Sequence, residues 1–202
     1  MKLILFSDLH RDKAAAARIV DLARNADVVV GAGDFASVRR DISNCIDVLA
    51  SSRIPAVLVA GNNESHDELV AACENWKSAH VLHGTSIEID GATFFGLGGG
   101  VPVTPFGSWS WDFSEEDAAQ LLRSCPPGAA LVSHSPPKGF VDEDSSGRSL
   151  GSTASLVRGS SLTAIPQPSW IGKSRWPPAR IVHAFSFRQW AGCCLSFYCL
   201  VT

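Results

Sequence analysis

The stretch Lys2-Leu3-Ile4-Leu5-Phe6-Ser7-Asp8-Leu9-His10 begins as an unbroken apolar run and ends on a carboxylate and an imidazole separated by one residue. An apolar run this short, with no helical period, reads as a strand buried on both faces, the kind found in parallel sheets covered by helices. It is also far too short for a secretory leader or a membrane span, and it predicts a buried strand in a cytoplasmic protein. The residues just after the strand carry the chemical interest, because ligands of open α/β sheets bind beyond the carboxyl ends of the strands.

Working outward, the same kind of run recurs at Val28-Val29-Val30, Ala56-Val57-Leu58-Val59 and Ala130-Leu131-Val132. Between these lie segments with helical spacing. Lys13 to Asn25 has apolar positions Ala16, Ile19, Val20 and Ala23; Val38 to Ser51 has Ile42, Cys45, Ile46 and Leu49; Asp67 to Trp76 comes after the third run. Asp12 is suited to cap the first helix, and Ser114-Glu115-Glu116-Asp117 resembles a capping box opening a helix through Arg123. Ser86 to Phe95 alternates on either side of Asp90-Gly91, which predicts a tight antiparallel hairpin. Strands alternating with helices define a layered α/β fold, a sandwich of mixed sheets flanked by helices.

Each of these strands ends in a polar cluster: Asp8-Leu9-His10, Gly33-Asp34, Gly61-Asn62-Asn63-Glu64 and Ser133-His134-Ser135. Carboxylate, imidazole and amide together make the N/O donor set of Mn, Fe, Zn or Mg rather than of a thiolate-bound metal. If the chain stays extended past the first strand, Asp8 and His10 point the same way and reach one ion. Asp34, with two oxygens, can bridge two ions. Taken singly, each cluster reads as a cap, a turn or a solvated loop; their order at successive strand ends is what favours a common site.

Composition is compatible with this. The chain has 202 residues, 46% hydrophobic and 18% charged, enough for one domain with a substantial core. A formal net charge of -3 and a pI near 6.0 leave no overall basic character, so no stable nucleic-acid partner is indicated. Cys45, Cys73 and Cys125 show no Cys-x-x-Cys spacing and read as core thiols. Gly96-Leu97-Gly98-Gly99-Gly100 comes after a hairpin, has no evident helix behind it, and reads as a flexible turn rather than a phosphate cradle. His66, His80 and His83 read as packed or surface histidines, and Trp109 and Trp111 as staples of a long loop.

In this order the clusters resemble the calcineurin-like metallophosphoesterase superfamily, whose pattern is Asp-x-His, Gly-Asp, Gly-Asn-His-Asp/Glu, a lone His and a final Gly-His-x-His. The resemblance covers roughly residues 1–154. It implies that Asp8 and His10 bind one metal, that Asp34 bridges, and that Asn62 and His134 bind a second. It also implies two divalent ions as cofactors, and hydrolysis of phosphate mono- or diesters by a metal-activated hydroxide. Substrates would be phosphorylated small molecules, nucleotides or proteins. His134 and Asn63 would serve catalysis, although Asn63 stands where the family carries a histidine. An amide can bond a phosphate oxygen but supplies no proton at neutral pH. The position therefore favours substrates with good leaving groups, or leaves protonation to water or His66.

The last quarter departs from the pattern. From Ser155 to Thr202 there is no Asp or Glu, whereas the preceding residues hold all 20 acids. The segment contains Pro166, Pro168, Pro177 and Pro178, three tryptophans and half of the cysteines, and it lacks Gly-His-x-His. Its one histidine is His183. Residues 1–154 are accordingly expected to form the phosphoesterase domain, and residues 155–202 an atypical tail that leaves the catalytic set incomplete. Trp176-Pro177-Pro178-Ala179-Arg180 can be encoded TGG CCA CCT GCA CGC, which read one nucleotide later begins Gly-His-Leu-His. A frame shift between about Ala154 and Trp176 is the expectation drawn from this. The competing functional reading is a non-catalytic scaffold or binding domain that keeps the fold.

Overall fold

The computed structural model describes residues 1–139, 142–143, 147–156 and 181–186. Its strands are β1 (Lys2–Phe6), β2 (Val28–Gly31), β3 (Ala56–Leu58), β4 (Ala79–Val81), β5 (Ser86–Ile89), β6 (Ala92–Leu97), β7 (Ala130–Ser133) and β8 (Ile181–Ser186). The helices are α1 (Lys13–Ala23), α2 (Ser43–Leu49), α3 (His66–Ala72), α4 (Glu115–Leu122) and α5 (Thr153–Leu156).

Two sheets result, one ordered β4-β3-β2-β1-β8 and the other β5-β6-β7. In the first, β1 to β4 are parallel and β8 lies antiparallel along β1. Side-chain alternation sorts the core into layers. Leu3 and Leu5 of β1 pack with Val28, Val30, Val57, Phe94 and Val132, an apolar layer drawn from both sheets. Ile4 and Phe6 point the other way, onto Ala16 and Ile19 of α1 and Ile46 and Leu49 of α2. Phe95, Leu97 and Leu131 face away from the first sheet and are covered by Ala118 and Leu122 of α4 and by Ala154 of α5. The order is thus helices, sheet, sheet, helices. A side chain buried as fully as Phe6 stabilises the fold by about 1.5–3 kcal/mol.

Asp12 caps α1 by accepting from the Ala15 N–H, and Asp90 (φ 49°) with Gly91 (φ 76°) makes the two-residue hairpin turn between β5 and β6. Ser114 caps α4 through the Asp117 N–H, but the Asp117 side chain accepts from the Ser114 hydroxyl rather than reaching back to its backbone. The complete capping box belongs instead to Ser65 and Glu68 at α3.

Two expectations are corrected. The second helix starts at Ser43, not Val38. Residues 38 and 39 are held in left-handed backbone by Asn63, whose side-chain oxygen accepts from the Val38 N–H and whose carbonyl accepts from Arg39. Gly96 to Gly100 is buried rather than a flexible turn. A Cβ at Gly98 would lie 2.7 Å from the Ala60 carbonyl and one at Gly99 2.6 Å from the Phe113 ring, so these glycines allow close packing.

The part of the 155–202 tail within the described residues is Ser155, Leu156 and the strand β8, which includes His183. The proline and tryptophan positions of that tail, Trp176 to Arg180 among them, lie outside the described residues.

Candidate metal centre

The carboxyl ends of β1, β2 and β3 are level, since Phe6 pairs with Gly31 and Gly31 with Leu58. The loops beyond them stay tied together: Asp8 N donates to the Gly33 carbonyl, His10 N to Asp34 and Arg11 N to Phe35, each at 2.9 Å. Asp8 and His10 do not sit on extended backbone, however. Their φ angles are 60° and 43°, with Arg11 at 72° and Asp34 at 59°. Strand alternation is therefore not what aligns Asp8 with His10; a left-handed turn does so, at a strain that L-residues accept mainly at functional sites. Gly33 and Gly61 let the loops touch. A Cβ on Gly61 would lie 2.1 Å from Asp34 Oδ1, and one on Gly33 2.8 Å from His134 Nδ1.

Asp8, His10 and Asp34 converge, each with a donor atom within 4.8 Å of the others. His10 Nε2 stands 3.4 Å from Asp8 Oδ1 and 3.7 Å from Asp34 Oδ2. On the opposite side, His134 Nε2 stands 3.6 Å from Asp34 Oδ1. Asp34 thus turns one oxygen to each imidazole.

The other ring nitrogens decide what these contacts are. His10 Nδ1 lies 3.2 Å from the Ala36 carbonyl and His134 Nδ1 2.7 Å from the Ala32 carbonyl. A carbonyl oxygen only accepts, so each Nδ1 carries a proton, and in the neutral ring each Nε2 offers a lone pair. Lone pairs then face carboxylate oxygens, an arrangement that is favourable only with a cation between them. Backbone-tethered imidazoles of this kind are the usual supports of metal-binding histidines. Both Asp8 oxygens are buried without a hydrogen-bond partner, and burying a carboxylate in this way is costly unless a cation compensates.

Charge in the cluster tells the same story. Burial raises the Asp8 carboxyl above its usual range, and nearby Asp34 adds to this against the pull of the imidazoles. For His10, burial opposes the charged ring, yet the Asp8 contact and the field of Asp34 outweigh it and push the imidazole up to about 9. His134 moves upward likewise, burial again losing to Asp34 and Asp8. The cluster draws in protons when no other cation is there. A divalent ion would supply that charge, and the donor set fits it.

Asn62 and Asn63 lie beside the cluster, both buried. Asn63 Nδ2 donates to Asp34 Oδ2 at 2.6 Å, and its backbone N–H donates to Asp34 Oδ1 at 3.0 Å. Asn62 Oδ1 lies 3.5 Å from Asn63 Nδ2, while Asn62 Nδ2 donates to Ser110 Oγ at 2.9 Å.

Glu64 has a role that the sequence pattern did not reveal. It is 1% exposed and accepts from the backbone N–H groups of Gly61, Asp34 and Ala36 at 2.7, 2.8 and 2.9 Å. It therefore clamps the β2 loop to the β3 loop. Burial, then Asp34, pushes its carboxyl up to about 7 against these donors. The available signal was an acid directly after Gly61-Asn62-Asn63, at a strand end.

Of the remaining histidines, His83 packs 5.0 Å from both Trp111 and Phe113 and accepts from the Gly98 N–H. His66 lies 5.8 Å from His83, with Nδ1 buried and unbonded. Trp111 is a staple, packed against the helix-side core. Trp109 stacks on Phe106. Cys45, Cys73 and Cys125 are buried.

Residues 1–100 match the calcineurin-like phosphoesterase superfamily domain. The fold is shared with 29 matching chains of solved structures. One is the crystal structure of TT1561 of Thermus thermophilus, 19% identical, covering 77% of this chain and 75% of its own, with a TM-score of 0.63. A second solved structure is 14% identical, covering 82% of this chain and 84% of its own, with a TM-score of 0.64. Identities this low speak for the fold. No curated protein matches the chain. Among the described residues no helix is long and apolar enough to cross a membrane.

Proposed function

We propose that this chain hydrolyses phosphate mono- or diesters at a site for two divalent ions, held by Asp8 and His10 on one side and Asn62 and His134 on the other, with Asp34 shared. The observation that carries this reading is the pair of backbone-tethered imidazoles whose Nε2 atoms face opposite oxygens of one buried carboxylate. Bound ions of this kind lower the pKa of a water and offset charge on the phosphoryl oxygens.

The chain's own groups then have distinct tasks. Ala36 and Ala32 hold the His10 and His134 rings in the tautomer that presents Nε2. Asn63, bonded to Asp34 at one end of its amide and to the Val38 N–H at the other, orients the shared carboxylate. Its role in the reaction is accordingly to hold Asp34 while offering no proton. Substrates with good leaving groups suit such a site, among phosphorylated small molecules, nucleotides or proteins.

The scaffold reading draws on one observation, the absence of Gly-His-x-His from the chain. The two readings separate on the purified full chain, by metal analysis together with turnover of bis-p-nitrophenyl phosphate in Mn. Two ions per chain with turnover supports the enzyme. No bound ion and no turnover supports the scaffold and overturns the proposal.

A further inference from the structure

The loop between β6 and α4 reaches back to the site through a chain of hydrogen bonds that begins at Asn62. Asn62 Nδ2 donates to Ser110 Oγ at 2.9 Å, and Ser110 Oγ donates to Asp112 Oδ1 at 2.8 Å. Asp112 Oδ2 in turn accepts from the Thr104 hydroxyl at 2.7 Å and from the Thr104 N–H at 3.0 Å. The Thr104 and Ser110 hydroxyls are themselves 3.0 Å apart. The loop is also pinned by backbone, Trp111 N donating to the Asn62 carbonyl at 3.0 Å.

This chain has a direction. A carboxylate only accepts, so Asp112 claims the single proton of Ser110, and Ser110 is left with lone pairs for Asn62. It can then receive the amide NH2 of Asn62 but cannot serve its carbonyl. Rotating the amide by half a turn would set its oxygen against the lone pairs of Ser110 and its NH2 against the Asn63 Nδ2 donor that faces Oδ1 at 3.5 Å. The buried amide has no solvent to absorb that mismatch, with Asn62 only 3% exposed. The opposite end of the amide, Oδ1, lies on the side of Asn63, whose Nδ2 bonds Asp34.

We propose that Ser110 and Asp112, supported by Thr104, are positioning residues that lock the Asn62 amide with its oxygen toward the metal site. This rests on the proposed function, in which Asn62 is a ligand. An amide's two ends are nearly equal in shape, yet only the oxygen attracts a cation. Without the lock, half of the rotational choice presents an N–H group to the ion. Such outer supports of a ligand change metal affinity by about 10–100-fold.

The test is a titration of the metal-free full chain with Mn, counting sites and their affinities for wild type, Ser110→Ala, Ser110→Thr, Asn62→Asp and the Asn62→Asp/Ser110→Ala double variant. In wild type two ions bind. Ser110→Ala weakens one of them by about tenfold or more and leaves the other within about twofold, while Ser110→Thr, which keeps the hydroxyl, holds both. In the Asn62→Asp background the two side-chain oxygens are equivalent and there is no orientation to lock. Ser110→Ala then has no further effect on metal affinity. A merely structural role for Ser110 predicts the same loss in both backgrounds, and that result overturns the proposal, as does a wild-type-like titration of Ser110→Ala. Wild type binding no metal overturns the proposed function itself and this inference with it, so the two failures are told apart.

Discussion

His134 Nε2 stands 3.6 Å from Asp34 Oδ1, and its proton-bearing nitrogen is turned away, bonded to the Ala32 carbonyl at 2.7 Å. The contact is therefore held together by whatever cation lies there, a proton on the ring in the metal-free protein or an ion in the loaded one. Metal and protons should compete. Affinity for Mn is expected to fall as pH drops from about 8 to about 6, because ligating imidazoles must be neutral and nearby carboxylates ionised. Asp34→Asn removes the charge that faces both rings. It should abolish stoichiometric binding and lower phosphodiester hydrolysis by at least about 100-fold, roughly 3 kcal/mol of transition-state stabilisation. Calorimetric titration at the two pH values checks the first expectation, and steady-state kinetics the second.

Glu64 supplies a different prediction, since every bond it makes is to a donor. Oε1 accepts from the Gly61 and Asp34 N–H groups and Oε2 from the Ala36 N–H. In Glu64→Gln one of those oxygens becomes an NH2 facing a buried N–H, leaving at least one donor unpaired. The expected loss of stability is about 1–3 kcal/mol. Denaturant unfolding measures it, and an unchanged midpoint would show that the clamp is not needed. Because the clamp joins the β2 and β3 loops, metal binding should weaken in parallel.

How much of this could be read beforehand depends on which interactions are local. The buried runs at Leu3, Val28, Ala56 and Ala130, the Asp12 cap and the Asp90-Gly91 turn depend on a few adjacent residues, and all appear where the sequence placed them. Asp8, His10 and Asp34 were legible as candidates because they come directly after those strands, and they do converge. The means of convergence was not legible. Left-handed backbone at Asp8 and His10 is imposed by hydrogen bonds to Gly33 and Asp34 in another loop. The segment from Val38 keeps a helical apolar period yet starts its helix late, because Asn63 captures the Val38 and Arg39 N–H groups. The roles of Glu64 and Ser110 were not legible for the same reason, since Asp34, Ala36 and Asn62, which they bond, lie far away in sequence.

His83 gives a pH-dependent prediction away from the metal cluster. Burial, then the neighbouring His66, pushes its imidazole down from 6.5 to about 4. Below about 6.5 the unfolded chain takes up a proton that the folded one refuses, so the unfolded state binds more protons and stability rises with pH across this window. Lowering pH from about 6.5 towards about 4 should therefore cost stability through His83. His83→Phe keeps an aromatic ring against Trp111 and Phe113 and removes the titration. The variant loses the acceptor for the Gly98 N–H at every pH, but its stability should fall less steeply than that of wild type over this interval. Unfolding free energies at matched pH values give the comparison, and parallel slopes would rule the assignment out.

The last prediction concerns the coding sequence for residues 150–182. A solvated chain needs charge on its exposed faces, yet the last acid is Asp144, and Trp, Cys and Pro accumulate after residue 154. A shift of reading frame produces such a change at a point, because it randomises residue choice without regard to burial. The proposal is that the reading frame shifts between about Ala154 and Trp176, and that the nucleotides for Trp176 to Arg180, read one base later, encode Gly-His-x-His. Restoring that frame should then return acidic residues to the segment, strengthen metal binding and raise phosphoesterase activity. Nucleotides that yield no Gly-His-x-His in the alternative frame would end the proposal and leave the tail a genuine departure from the superfamily pattern.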